Sequence, residues 1–160
     1  MSIDEAAAIL AERRADYRQA EQYLLYYEQK MRAYHERKAE YMSKPADENA
    51  GRHGAVTHPT EAKALQSVRY DEQSDNYAWL KAVEIVLRGL CDSKRFFVKL
   101  RRDALLANNG RRVGRRAWVV YVQMRYGDAV GRHIGERTIK QWNSAILWRI
   151  VDVHLRLKNF

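Results

Sequence analysis

The segment IGERTIKQWNSAILWRIVDVHLRL, residues 134–157, carries two different faces at the spacing of an α-helix. Apolar side chains recur every three or four residues along one face, and this periodicity predicts a buried side. That face comprises Ile139, Trp142, Ile146, Ile150, Val153 and Leu157. Polar and basic side chains occupy another face within the first two turns, namely Arg137, Lys140, Gln141 and Ser144. The segment therefore predicts a long helix, packed on one side and open on the other.

The open face suits the major groove of DNA. Arg and Gln side chains form paired hydrogen bonds with base edges, and the N-terminus of a helix attracts phosphate. We therefore predict that double-stranded DNA is a partner and that Arg137, Lys140, Gln141 and Ser144 contact its bases. The preceding apolar residues Trp118, Val119, Val122 and Tyr126 predict a supporting helix over about 115–126, connected through GDAVGRHIG at residues 127–135. Thr138, Arg111, Arg112, Arg115, Arg116 and Arg132 are predicted to contact phosphates.

The middle of the chain predicts further helices. YAWLKAVEIVLRGL, residues 77–90, is apolar almost all round, which is typical of a central helix. Thr57, Pro59 and Glu61 suit a helix start, and that helix runs to about Leu100 with a break near residues 74–75 or 92–93. The cations after residue 93, Arg101 and Arg102 among them, either cover apolar surface or begin a basic surface. The expected fold class is all-α.

The first 42 residues predict one long helix with a heptad seam. Residues 2–42 contain neither Pro nor Gly, and apolar or aromatic side chains recur at alternating spacings of three and four. A helix of about 40 residues is about 60 Å long, so it must pack on the chain's own helices, on a second copy, or on both. The residues predicted to mediate homo-oligomerisation are Leu10, Tyr17, Leu24, Tyr27, Met31 and Tyr34.

Composition divides the chain into segments of different charge. Residues 1–93 carry 13 Lys and Arg against 16 Asp and Glu, whereas residues 94–160 carry 16 against 4. So basic a C-terminal half indicates a polyanionic partner. The predicted organisation is a coiled-coil-like helix at 1–44, a flexible linker holding both prolines at 45–59, a central helical segment at 60–107 and a basic helix-turn-helix segment at 108–160.

Two motifs carry a family resemblance. The stretch IGERTIKQW, residues 134–142, resembles the start of the recognition helix in phage regulators related to the C-terminal helix-turn-helix of sigma factors, with Gly135 where that pattern has a capping serine. The tyrosines of YLLYY at 23–27, followed by TEAKA at 60–64 and a basic C-terminal segment, resemble the RinA/ArpU group of phage late-gene regulators. This resemblance implies an activator of phage late transcription in the bacterial cytoplasm, with host RNA polymerase as a further candidate partner.

Other chemistry is not expected. Cys91 is the single cysteine, which excludes an intrachain disulfide, and it is expected to be buried at the end of an apolar helix. The five histidines form no metal-ligand pair, so we predict no metal, no cofactor and no enzymatic activity. No apolar run is long enough to span a bilayer, and the acidic start MSIDEAAAIL is unlike a signal peptide, which favours a cytoplasmic protein without a membrane partner.

Two other functions remain open at this stage. A DNA-packaging subunit of the small-terminase type also joins a helix-turn-helix to an oligomerising coiled coil, but forms a ring of many copies. A helical interaction protein would show no salt-sensitive DNA binding.

Overall fold

A computed structural model describes residues 1–44, 59–107 and 117–159. Over these residues the chain forms seven helices and no strand, which confirms the all-α class. The helices are α1 Ile3–Leu25, α2 Tyr27–Ser43, α3 Pro59–Gln73, α4 Asp75–Arg88, α5 Asp92–Ala107, α6 Ala117–Val130 and α7 Glu136–Lys158.

The N-terminal segment is two helices instead of the single rod that the heptad seam predicts. A capping box between Ser2 and Glu5 starts α1, and the backbone of Tyr26, at φ −108° and ψ 28°, separates α1 from α2. The guanidinium of the half-buried Arg102 donates to the carbonyl of Leu24 at 2.9 Å, in the last turn of α1. The interruption therefore lies beside a tertiary hydrogen bond, for which heptad spacing gives no signal.

The middle of the seam packs on helices of the same chain. Leu24 and Tyr34 are buried, and Tyr17, Tyr27 and Met31 are half-buried against the same core. Intrachain contacts thus account for the burial of these five predicted oligomerisation residues. Leu10 differs from them because it is 56% exposed. Self-association remains a prediction, and among the six predicted oligomerisation residues only Leu10 is exposed.

Helices α2 and α3 form an antiparallel pair joined by aromatic and charged contacts. The Tyr34 ring lies 5.6 Å from that of Tyr70, and the Tyr41 and Tyr70 rings are 4.9 Å apart. The Tyr34 hydroxyl donates to the Asp71 carboxylate, which also pairs with Lys38 at 2.9 Å. The rings of Tyr34 and Tyr41 therefore bridge from α2 to α3, and Tyr34 also satisfies its hydroxyl there.

Helix α4 is the centre of the molecule, as its all-round apolar sequence predicts. Trp79, Leu80, Ala82, Val83 and Val86 are buried against α1, α2 and α7. Helix α7 runs antiparallel to α4, so that the ring of His154 stacks on Trp79 at 3.6 Å. The C-terminal half of α7 thus belongs to the core of the whole chain.

The central helix, predicted to break near residues 74–75 or 92–93, is interrupted twice, at Ser74 and at residues 89–91. Ser74 caps α4 by accepting from the Tyr77 N–H, and residues 89–91 separate α4 from α5. The prediction that Cys91 is buried is wrong, because the residue lies in this second turn and its side chain is exposed. Helix α3 begins at Pro59, as the sequence indicates. Residues 45–58 of the predicted linker lie outside the described residues.

Candidate nucleic-acid interface

Helices α5, α6 and α7 surround an aromatic cluster in the C-terminal half. Phe97 of α5 is fully buried, and the Trp142 ring of α7 meets it edge-on with a centroid distance of 5.9 Å. Tyr126 of α6 packs on Trp142 at 6.0 Å, and Trp118 lies 6.5 Å from Phe97. Large aromatic rings in edge-to-face contact fix the angles between these helices. The cluster therefore holds α7 against its supporting helix, and α5 joins the unit although the sequence placed it in the central segment.

The turn between α6 and α7 is shorter than the sequence indicates. Helix α6 continues through Gly127 to Val130, and the connection is residues 131–135. Gly131 ends the helix at φ +74°, with its N–H donating to the Gly127 carbonyl at 2.9 Å. A left-handed glycine at this position lets the chain reverse without a side-chain clash. The connection between the two helices is therefore five residues long.

Ile134 anchors the turn between α6 and α7 by packing its side chain into the core. Its side chain is 6% exposed, and its carbonyl accepts from the side-chain amide of Gln123 at 3.2 Å. Gly135 then precedes α7 as an N-cap without a side-chain hydrogen bond, as the sequence predicts for a glycine here. The sequence placed Ile134 in the connection GDAVGRHIG without assigning it to the core. The available signal was an isolated apolar residue between two glycines.

The two faces of α7 separate largely as predicted. Ile139, Ile146 and Ile150 are buried, Trp142 and Val153 are half-buried, and Leu157 is 37% exposed near the end of the helix. On the other side, Arg137, Lys140 and Gln141 are exposed and Ser144 is half-buried. These four side chains line one shallow depression over the first turns of α7. The structure therefore brings all four predicted base-contacting residues together.

Glu136 belongs to the same depression and was missed from the sequence. Its carboxylate pairs with the Lys140 ammonium at 2.9 Å, and both side chains are substantially exposed. The i,i+4 spacing of Glu136 and Lys140 was the available signal. The surface thus carries one acidic group among its basic and amide groups, beside the N-terminal end of the helix dipole.

Arg101 links the unit of α5, α6 and α7 to the N-terminal helix α1. It is 5% exposed, its Nε donates to the Asn143 carboxamide at 2.9 Å, and its guanidinium lies 3.8 Å from the Trp118 ring centroid. The Glu21 carboxylate is 3.6 Å away, and burial lowers the pKa of Arg101. Arg101 is therefore a buried structural cation, and the alternative that it begins a basic surface is wrong.

The predicted phosphate contacts are only partly within the described structure. Thr138 is half-buried in the first turn of α7, and Arg132 is exposed in the turn before it. The other four predicted phosphate-contacting residues lie outside the described residues: Arg111, Arg112, Arg115 and Arg116.

Residues 1–44, 59–107 and 117–159 hold no metal-binding arrangement of three or more His, Cys, Asp or Glu side chains. None of the described helices is long and apolar enough to cross a membrane.

Comparison of the chain with models of known families, with curated proteins and with solved structures finds no match.

Proposed function

We propose that this protein is a DNA-binding transcription regulator that reads the major groove with the first turns of α7. The observation that carries the proposal is the depression lined by Arg137, Lys140, Gln141 and Ser144, presented by a helix whose opposite side is buried. Guanidinium and amide groups in this arrangement have the donors and acceptors that base edges recognise. A recognition helix must be held rigidly, and the aromatic cluster with Phe97 supplies that support.

Charge supports the same proposal. Residues 94–160 carry 16 Lys and Arg against 4 Asp and Glu, and α6 and α7 both belong to this half. Phosphate neutralisation by such a surface supplies most of the sequence-independent part of DNA affinity. The acidic side chain of Glu136 is compatible with base reading, because a carboxylate accepts a hydrogen bond from the cytosine amino group.

The more specific function and the additional partner rest on the family resemblance alone. We propose an activator of phage late genes, acting as a dimer or small oligomer in the bacterial cytoplasm, with host RNA polymerase as a second partner. The residues that support this are the ERTIKQW stretch at 136–142 and the tyrosines at 23–27.

The test begins with binding of the full chain to duplex DNA over a range of salt concentrations. We expect affinity to fall steeply with salt, and the double substitution R137E and K140E to abolish it. The control R69E changes an exposed cation on α3 and should retain binding. Sequencing of DNA that co-purifies with the protein from producing cells then identifies the binding site.

The outcome separates the three functions. Salt-insensitive or undetectable DNA binding by the wild-type chain would refute the proposal and favour a helical interaction protein. DNA binding by a ring of many copies would favour a packaging subunit, whereas binding by a dimer or small oligomer supports a regulator.

A further inference from the structure

A large groove lies at the junction of α1 and α2, between α4 and α5. Its volume is about 910 Å³, and its apolar lining comprises Leu25, Tyr27, Leu87, Val98, Leu105 and Leu106. Leu106 is 75% exposed, so part of this lining meets water in the isolated chain. The groove is on a different part of the surface from the α7 depression, with which it shares no lining residue.

The α5 wall of this groove is cationic. Arg95, Lys99 and Arg102 line it, against Asp103 of the same helix. Glu28 of α2 and the Glu84–Arg88 ion pair of α4 also line the groove, so its whole lining carries four cations and three acids. The Nη2 atom of Arg102 is buried and has no hydrogen-bond partner in the part of the chain that the structure describes. Burial lowers the pKa of Arg102, since the charged form loses hydration that its neighbours do not fully replace. An apolar helix that places an acidic turn against the α5 wall is therefore the complementary occupant.

The same chain presents such a helix. The donor segment, Ile3–Leu10 with the sequence IDEAAAIL, carries Asp4 and Glu5 in its first turn. Its side chains Ile3, Ile9 and Leu10 are 90%, 45% and 56% exposed, respectively. A helix with one apolar stripe gains stability by burying that stripe in a partner groove.

The donor segment cannot occupy the groove of its own chain. Leu25, at the end of α1, lines the groove, and Ile3 begins the same helix. Their separation along the helix is about 33 Å at 1.5 Å per residue. The occupant must come from another molecule, and an antiparallel arrangement of two copies would place the start of one α1 beside the end of the other.

We infer that the protein dimerises by reciprocal exchange, with the donor segment of each copy seated in the groove of the other. A specific interface buries about 1,200–2,000 Å² in total, which a single short helix in one groove hardly reaches. A two-fold exchange doubles the contact and closes the assembly. The inference rests on the self-association part of the proposed function and is independent of DNA binding.

The test compares two one-sided variants of the full chain by sedimentation equilibrium. The donor variant I3E and L10E and the groove variant L106E both change exposed side chains, so their helicity by circular dichroism should equal that of the wild type. Each should weaken dimerisation about tenfold or more, because each places a carboxylate in an apolar contact. The control L65E, at a similarly exposed leucine on α3, should dimerise like the wild type.

A mixture of the two variants gives the decisive measurement. Reciprocal exchange predicts that the two variants form a heterodimer more tightly than either variant pairs with itself, since only the heterodimer has one intact donor segment in one intact groove; with one contact instead of two, it should be weaker than the wild-type dimer. Direct pairing of α1 with α1 predicts a monomeric donor variant but a groove variant that still dimerises, and this result would overturn the inference while self-association stands. A mixture that associates no more tightly than either variant alone would also overturn it. A wild-type chain that is monomeric at all concentrations would refute both the inference and self-association.

Discussion

His154 shows how one buried side chain makes the fold sensitive to pH. Its ring stacks on Trp79, and its Nε2 lies 3.0 Å from the carboxylate of Asp75. Burial lowers the pKa of His154 below its ordinary value of 6.5, although the hydrogen bond with Asp75 opposes this effect. Lys158 pairs with Asp75 at 2.7 Å and disfavours a second positive charge beside it. The ring is therefore neutral in the folded state at pH 7.

The free energy of unfolding should accordingly fall as the pH drops below 6.5. Below this value the unfolded chain binds a proton at His154 more readily than the folded chain, so acid favours unfolding. Asp75 also makes the fold less stable in acid, but at lower pH. Burial opposes its ionisation, yet hydrogen bonds from Lys158 and His154 lower its pKa below 3.8. Urea unfolding between pH 5 and 8 measures the slope.

The matched variants for this prediction are H154F and H133Q. H154F keeps a ring against Trp79 without a titrating group, so the slope near pH 6 should flatten. H133Q removes an exposed histidine in the α6–α7 turn and should keep the wild-type slope. An unchanged slope in H154F would assign the pH dependence to another group.

Single side chains on the α7 depression should control sequence preference. R137A or Q141A should cost about 1–3 kcal/mol at one base position, because each removes a pair of hydrogen bonds to a base edge. Both residues are exposed, so the stability of the fold should not change. Selection of binding sites from random duplexes, compared between wild type and variants, measures the loss.

The control for base reading is a cation on the same molecule but outside the depression. R125A on α6 removes an exposed arginine that stacks on Tyr121, and it should leave the selected sequence unaltered. If R137A and Q141A both select the wild-type sequence with undiminished preference, α7 does not read bases.

At the scale of elements, the α6–α7 turn depends on two glycines for different reasons. Gly131 has φ +74°, a conformation that costs a residue with a side chain about 1–2 kcal/mol. Gly135 has φ −73°, and a Cβ atom there would meet open space, so this position tolerates substitution. G131A should therefore destabilise the fold by about 1–2 kcal/mol, whereas G135S should stabilise it by roughly a few tenths of a kcal/mol by capping α7. Urea unfolding measures both, and equal effects of the two variants would contradict this account.

Helix positions were predictable where local sequence decides them. The start of α3 at Pro59, the break at Ser74 and the apolar face of α7 all follow from capping chemistry or from periodicity. The interruption at Tyr26 was not predictable, since residues 2–42 contain no helix-breaking residue and the adjacent hydrogen bond comes from Arg102, 78 residues away from Leu24. Tertiary contacts of this kind override local propensity.

At the scale of the whole molecule, α7 serves two structural units. Its first turns carry the candidate interface, and its last turns pack on α4 and α1 through His154 and Trp148. Arg101 adds a link from Asn143 to Glu21 of α1. The candidate interface and the N-terminal helices are thus connected by one continuous helix.

The candidate site was predictable in part, because helical periodicity is visible in the sequence. Periodicity assigns Arg137, Lys140 and Gln141 to one face, and the structure places them together. Positive charge is what marks a DNA-contacting residue in a sequence. Glu136 was missed because its carboxylate is negative and is repelled by phosphate. The role of Arg101 was left open between two alternatives, because sequence does not tell a surface cation from one buried against Trp118 and Asn143.

The basic stretch NNGRRVGRR, residues 108–116, links α5 to α6 in sequence and should add affinity for DNA without adding sequence preference. Each phosphate that a cation neutralises contributes about 0.9 to the slope of log affinity against log salt concentration. Replacing Arg111 and Arg112 by Gln should therefore flatten that slope by about 1–2 and weaken all duplexes alike. The control R32Q and R37Q removes two exposed cations from α2 and should leave the slope unchanged. Fluorescence anisotropy with one labelled duplex at several salt concentrations measures both slopes. Equal slopes for wild type and the Arg111 and Arg112 variant would mean that these arginines make no phosphate contact, and that the affinity comes from α7 and the turn before it.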